Sequence, residues 1–189
     1  MLHPPLYILR HGQTVWNAEE RFQGRLDSPL TELGCAQAAQ QNSILKSRDL
    51  MEFSALCSPQ GRARQTANIA LEGLFSDVPD DSALAEIGMG LWEGKTRSEL
   101  LPQLEDAEVF DVYERAPQGE GFDALHGRCR QLLARLSGPT VLVTHGITSR
   151  MLRVILQGLE IPDVAFVDGG QGVVYHLENG VQTKLTIGA

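Results

Sequence analysis

Apolar and polar residues fall into alternating short and long runs along this chain, the pattern of strands and helices taking turns. Leu6-Tyr7-Ile8-Leu9 is a compact apolar run, and it predicts a buried strand over residues 5–10. Thr31-Glu32-Leu33-Gly34 then opens a helix running to about Lys46, with Thr31 as its N-cap. Ser54–Cys57 reads as a second short strand, broken by Ser58-Pro59. Ala63, Ala67, Ala70 and Leu74 recur at helical spacing and give the next helix one buried face. Leu84-Ala85-Glu86 reads as the end of a third strand, ahead of a glycine-punctuated loop from Gly88 to Gly94.

The stretch from Ser98 to Arg115 is helical in character but interrupted by Pro102 and rich in acids, which predicts an exposed excursion over the functional edge. From Asp123, the residues Leu125, Cys129, Leu132, Leu133 and Leu136 share one face of an amphipathic helix that stops at Gly138-Pro139. Thr140–Thr144 is the strongest strand pattern, and Ile147–Gln157, apolar nearly all round, predicts a deeply packed helix. Two alternating runs joined by Asn179-Gly180 predict a terminal hairpin. Together these give a single α/β domain over residues 1–189. It is a three-layer sandwich: a mostly parallel central sheet with helices on both faces and one antiparallel pairing near the C-terminus.

Charge narrows the choice of ligand. Sixteen Lys and Arg against 24 Asp and Glu leave a formal charge of −8, which disfavours nucleic acid and acidic membranes as partners. Any anionic ligand must therefore meet a local cluster of cations. Cys35, Cys57 and Cys129 stand far apart without CxxC spacing, and neither a secretory leader nor an apolar run of membrane-spanning length is present. A reduced, cytoplasmic setting is expected. The sequence sets no oligomeric state.

Three strands end in the same chemistry. The first ends in Arg10-His11-Gly12, the second leads through Ser58-Pro59 to Arg62 and Arg64, and Val141–Thr144 ends in His145-Gly146. Right-handed crossovers would bring these carboxyl ends to one edge, with Glu86 in reach and helix N-termini adding positive dipole ends. Each residue also has an ordinary reading. Arg62 or Arg64 alone is a solvated helix start, a lone histidine after a strand is a satisfied structural residue, and Glu86 alone is a surface acid. Trp16 and Trp92 read as core or rim packing. The conjunction argues otherwise, because two histidines and two arginines at matched strand ends repel one another unless an anion joins them.

Other phosphate chemistries do not fit. There is no GxxxxGK[ST] motif, and Gly88-Met89-Gly90 lacks the third glycine of a dinucleotide fingerprint. Cys129 and Arg135 have the bare spacing of a cysteine phosphatase, but they lie inside an amphipathic helix, where residues six apart face different ways. No spacing of His, Cys or carboxylates suggests a metal site, so neither metal nor other cofactor is expected.

Four blocks carry a family likeness. They are Arg10-His11-Gly12-Gln13-Thr14 with Trp16-Asn17, then Ser58-Pro59 with Arg62 and Gln65-Thr66, then Glu86 ahead of Gly90-Leu91-Trp92-Glu93-Gly94, and last Val143-Thr144-His145-Gly146. In this order and spacing, across essentially the whole chain, they resemble the histidine phosphatase superfamily in its phosphoglycerate-mutase-like branch. The resemblance implies that His11 is the nucleophile that becomes phosphorylated, that Arg10, Arg62 and His145 cradle the phosphoryl group, and that Glu86 is the proton donor. It also implies that Asn17, Gln23 and the backbone of Gly146 line the substrate pocket. Two departures stand out. Gly119-Glu120-Gly121 replaces the Gly-Gly-Glu-Ser of many members, with the expected loss of an N-cap. The segment between Trp92 and Asp123 is short, and its only cations are Lys95, Arg97 and Arg115, which favours a phosphatase over a mutase.

The expected activity is metal-independent hydrolysis of a small phosphorylated metabolite through a phosphohistidine. Two guanidinium forks and an imidazolium can compensate the charge on the equatorial oxygens. His11 must attack as neutral imidazole, with its other ring nitrogen bonded to a carbonyl to fix the tautomer. A phosphomutase and a non-catalytic phospho-ligand binding module are the alternatives.

Overall fold

A computed structural model gives the structure of residues 3–100 and 110–188. Five strands, β1 (Leu6–Arg10), β2 (Ser54–Cys57), β3 (Thr140–Thr144), β4 (Val174–Glu178) and β5 (Val181–Leu185), form one sheet in the order β2-β3-β1-β4-β5. β1 and β2 both pair with β3 in parallel, whereas β4 runs antiparallel to β1 and to β5. One strand thus opposes the other four and the sheet is mostly parallel. β4 makes two antiparallel pairings where the sequence led to one, because it docks against β1 as well as against its hairpin partner.

Side-chain alternation divides the core into two. Leu6 and Ile8 of β1 and Leu142 of β3 face one way, towards α6 (Gly121–Arg135) and α7 (Gly146–Leu156). Tyr7, Leu9, Val141 and Val143 face the other way, towards α2 (Glu32–Lys46) and α3 (Gly61–Ala70). Both faces of the sheet are therefore covered by helices, which is why its central strands read as unbroken apolar runs.

Several sequence expectations hold at the level of single atoms. Thr31 caps α2, its Oγ1 accepting from the Gly34 N–H at 3.0 Å. Asn179 and Gly180 both take positive φ, 52° and 78°, as a tight two-residue hairpin turn between β4 and β5 requires. Others need correction. Leu84-Ala85-Glu86 is not a strand: a 3-10 turn spans Ser82–Leu84. The carbonyls of Leu84 and Ala85 accept instead from the hydroxyls of Thr144 (2.6 Å) and Thr148 (2.8 Å), so side chains stand in for a ladder. α3 ends at Ala70, and Leu74 packs from the turn beyond it. α7 is not apolar all round, since it buries Arg153, whose guanidinium lies 3.8 Å from the Tyr175 ring centre.

The excursion expected over 98–115 is described only at its ends, as α4 (Arg97–Leu100) and α5 (Asp111–Arg115); Pro102 lies outside the described residues. Leu100 and Val112 are buried in the core, so these ends are anchored rather than exposed. Near the site, the loop after β1 leads into α1 (Val15–Ala18) and touches α2 backbone to backbone. A Cβ on Gly12 would stand 2.1 Å from the Gly34 carbonyl oxygen.

Candidate active site

Strand register builds the centre of the site. Arg10 pairs with Thr144 at the carboxyl ends of β1 and β3, so the next residues, His11 and His145, are neighbours. The His11 N–H donates to the Thr144 carbonyl at 3.0 Å, and the two rings meet edge to face at 5.1 Å. On the other side of β3, the Ser58 N–H donates to the Val143 carbonyl at 2.9 Å, and the chain turns into α3 with Arg62 in its first turn.

His11 is 2% exposed, and its Nδ1 lies 2.7 Å from its neighbour's carbonyl, Gly12 O. A carbonyl only accepts, so the proton sits on Nδ1 and Nε2 carries the lone pair. Arg62 Nε donates towards that Nε2 at 3.3 Å. Burial, then Arg10 and Arg62, hold the His11 pKa well below 6.5, so the ring is neutral in the empty site. His145 is fully buried and neutral for the same reasons, burial first and Arg62 next. Its Nε2 meets the Ser58 hydroxyl at 2.7 Å, while its Nδ1 has no hydrogen-bond partner among the described residues. Ser58 Oγ also accepts from the Gln60 N–H at 3.4 Å. Arg10 Nε is likewise buried without a partner among the described residues. A buried guanidinium N–H left unpaired in the cavity marks a place for an anion.

Arg62 is 1% exposed and largely engaged by the protein. Its guanidinium donates to Leu26 O (2.7 Å), Asp27 Oδ1 (3.0 Å) and Gly24 O (3.0 Å). It is thereby locked in orientation, and the group facing it is His11.

Glu86 reaches the same edge without being on a strand. Its carboxylate sits at the N-terminus of α7, accepting from the N–H of Ile147 (3.1 Å) and Thr148 (3.0 Å), from the Thr148 hydroxyl (3.0 Å) and from the Ile87 N–H (3.0 Å). Asn17 and Thr14 form a capping box at α1, so Asn17 Oδ1 accepts from the Thr14 N–H and also from Gln171 Nε2 (3.3 Å). Both Oδ1 lone pairs are occupied, and the Asn17 NH2 group is the free end. Gly146 packs on the Arg10 guanidinium: a Cβ there would lie 3.3 Å from Arg10 Cζ. One cavity of about 330 Å³ is lined by Arg10, His11, Arg62, Glu86, Asn17 and Gln23, together with Gly146; of the residues expected at the site, His145 is not in its lining and packs edge to face against His11.

The same cavity has lining residues that sequence reasoning passed over: Arg21, Arg150, Phe22, Phe110 and Tyr113. Burial first, then Glu86, push the Tyr113 phenol to about 12, so it stays a hydrogen-bond donor. Gln171 was also missed; it donates to the His11 carbonyl at 3.1 Å from beyond the end of the β1–β4 ladder. The available signals were slight: Arg150 in the second turn of a helix otherwise read as packed, and Gln171 between glycines.

Residues 6–180 match the sequence profile of the histidine phosphatase superfamily, branch 1. The chain belongs to that superfamily. It is 37% identical over 163 residues to the Erwinia tasmaniensis protein named Probable phosphoglycerate mutase GpmB, which covers 82% of this chain and 75% of that one. The alpha-ribazole phosphatase from Shigella flexneri is similar in structure with a TM-score of 0.80 at 26% identity, over 98% of this chain and 96% of that one. A mycobacterial glucosyl-3-phosphoglycerate phosphatase, in complex with VO3, matches with a TM-score of 0.80 at 28% identity, over 97% and 98% of the two chains.

In this member of the superfamily Gly119-Glu120-Gly121 does leave α6 without a side-chain cap of its own; Glu114 of α5 accepts from the Phe122 N–H instead. Glu120 turns inward to accept from Gly88 N–H and to pair with Arg128 and Arg25. Glu93 is occupied by the N–H groups of Arg25 and Met89. Arg64 binds Asp80 and the Val78 carbonyl away from the cavity, and Arg115 pairs with Asp111. Cys129 is fully buried in α6, and burial pushes its thiol to about 12, while Arg135 pairs with Asp81 on the surface. No cysteine-phosphatase site exists there.

Proposed function

We propose that this chain is a phosphomonoester hydrolase acting on a small phosphorylated metabolite through a phosphohistidine at His11, with no metal or other cofactor. The observation that carries the reading is the neutral His11 ring in the cavity wall, its Nδ1–H fixed on Gly12 O so that Nε2 carries the lone pair, with the Arg62 guanidinium against it. In the first step that lone pair attacks phosphorus and the ester P–O bond breaks. Glu86 gives the departing oxygen its proton. In the second step water attacks phosphorus, its proton passes to Glu86, and the P–N bond breaks to release phosphate and neutral His11. Arg10, Arg62, the Asn17 amide, Gln23 and the Gly146 N–H meet the phosphoryl oxygens, with His145 packed against His11. The net charge of −8 speaks against nucleic acid or acidic membranes as partners, and a cytoplasmic setting fits the unpaired cysteines.

Native protein quenched during turnover should carry a phosphoryl group that is labile in acid and stable in alkali. His11→Ala should lack it and lose at least about a thousandfold in rate. Label on a hydroxyl or on Cys129 would overturn the assignment. The relatives named phosphoglycerate mutase favour a second reading, in which the phosphohistidine returns its group to product. With 3-phosphoglycerate and 2,3-bisphosphoglycerate, a hydrolase yields inorganic phosphate or nothing; efficient interconversion would establish the mutase.

A further inference from the structure

The loop that carries His11 begins where the β1–β4 ladder stops, at the pair of Leu9 with Val174. From there its backbone groups are met by side chains of other elements. Gln41 of α2 donates from Nε2 to the carbonyls of Arg10 (2.9 Å) and Val173 (3.0 Å). The Gly12 N–H donates to Thr66 Oγ1 at 3.1 Å, and the Gln13 N–H to Gln37 Oε1 at 2.7 Å. The His11 carbonyl falls to Gln171 Nε2, at 3.1 Å. Gln41 ties backbone to backbone, whereas Gln171 has a second partner in the cavity wall. The same Nε2 lies 3.3 Å from Asn17 Oδ1.

The polarity of this contact runs in one direction. A peptide carbonyl can only accept, so the Gln171 nitrogen, not its oxygen, faces His11. That nitrogen has a second hydrogen, and the Asn17 atom set against it must be an acceptor. The Thr14 N–H, 3.2 Å from the same Oδ1, imposes the same choice. Two donors thus hold the Asn17 amide with its oxygen occupied and its NH2 group free, on a residue that lines the cavity. Gln171 is placed in turn by its neighbour. Gly172 takes a φ of 74° and packs on α2, where a Cβ would stand 2.6 Å from Gln40 Oε1 and 3.3 Å from Gln37 Cγ.

We infer that Gln171 is a positioning residue of the phosphoryl site. It passes the polarity of the His11 carbonyl on to Asn17, so that the Asn17 NH2 group rather than its oxygen meets the bound phosphoryl group. This rests on the hydrolase reading, in which Asn17 meets a phosphoryl oxygen, and adds to it the residue that sets that contact. One amide thereby joins the peptide of the nucleophile to a donor for the group it receives, and the two keep their spacing.

The test inverts the contact. Gln171→Glu keeps length and shape but offers acceptors alone to the His11 carbonyl and to Asn17. The Asn17 amide then turns over to donate to the carboxylate, a charge-assisted bond that outweighs the one from the Thr14 N–H, and sets its own oxygen against the phosphoryl group. Binding of inorganic phosphate, followed by titration calorimetry, reads this without turnover, and kcat/KM for p-nitrophenyl phosphate reads it in the reaction. A double-mutant cycle with Asn17→Ala gives the decisive comparison. In native protein Asn17→Ala should weaken phosphate binding by about tenfold, as loss of one hydrogen bond to a charged group does. Gln171→Glu should weaken it at least as much. In the Gln171→Glu background, however, Asn17→Ala should cost nothing or restore affinity, since it removes a misplaced oxygen. If Gln171→Glu does not fold, Gln171→Met, which removes the donors and keeps the bulk, should lower phosphate affinity and shrink the effect of Asn17→Ala. Equal losses from Asn17→Ala with and without the change at Gln171 would overturn the inference, because added charge or loosened packing acts whichever way the amide faces. Native protein that neither binds phosphate nor forms phosphohistidine would instead bring down the hydrolase reading itself.

Discussion

At His11 and His145 burial and charge act in the same direction, and their joint effect reaches beyond catalysis. Both rings are neutral when folded, held well below 6.5 by burial first and by neighbouring arginines next. In the unfolded chain each takes up a proton near its ordinary value. Below pH 6.5 the unfolded state therefore binds more protons, so the stability present above that pH is lost as pH falls towards the folded values. The slope is about 1.4 kcal/mol per pH unit for each histidine, or about twice that for the pair. His176 on β4 is lowered too, by burial, and adds a smaller share of the same sign. Urea unfolding between pH 5 and 7 should show this slope, and His145→Asn should reduce it by the share of one histidine. An unchanged slope in that variant would show that the titrating groups lie elsewhere. The same arrangement keeps the proposed nucleophile, His11, neutral down to mildly acidic pH.

Elements, rather than residues, explain Glu86. α7 begins at Gly146 with no side-chain cap from His145, and a buried helix start must find acceptors for its first N–H groups. Glu86 supplies both oxygens, to Ile147 and Thr148, at the positive end of the helix. Glu86→Gln replaces one acceptor by an NH2 group facing an N–H, so the variant should lose about 1–2 kcal/mol of stability. If Glu86 also protonates the leaving oxygen, hydrolysis of an alkyl phosphate should suffer by about a hundredfold to ten-thousandfold. Hydrolysis of p-nitrophenyl phosphate, whose phenolate leaves unprotonated, should suffer far less. Equal losses for the two substrates in single-turnover kinetics would leave Glu86 as a cap alone. This dependence on tertiary partners is also why residues 84–86 misled the sequence reading. Their apolar run looked like a strand, but its carbonyls are met by Thr144 and Thr148, which lie about sixty residues away. Strands with ladder partners, the Thr31 cap and the Asn179-Gly180 turn were legible because their signals are local. The meeting of Arg10, His11 and Arg62 in one cavity was legible because strand ends converge by topology. The places of Arg150 and Gln171 were not, since they depend on what folds against them.

Across the whole molecule the charge is distributed against the average. The chain is acidic, yet Arg10, Arg21, Arg62, Arg97 and Arg150 line a single cavity, so the positive potential is local and enclosed. A phosphoryl group entering it exchanges water for permanent guanidinium charge, which does not depend on pH and needs no ion from solution. Among the described residues, no group of three or more His, Cys, Asp or Glu is placed to hold a metal ion. The carboxylates nearest the cradle are committed elsewhere, Asp27 to Arg62 and Glu86 to α7. Adding a divalent cation would place it among fixed guanidiniums without a ligand set, at a cost in repulsion. Turnover of p-nitrophenyl phosphate should therefore stay within about twofold in excess chelator, after dialysis against the same chelator to strip adventitious ions. Inorganic phosphate should inhibit competitively, and less strongly as salt is raised, because screening weakens the attraction at the cavity mouth. Activity lost on dialysis and restored by magnesium or zinc would mean that a metal carries the charge assigned here to Arg10 and Arg62, and the guanidiniums would then be left with orienting the substrate alone.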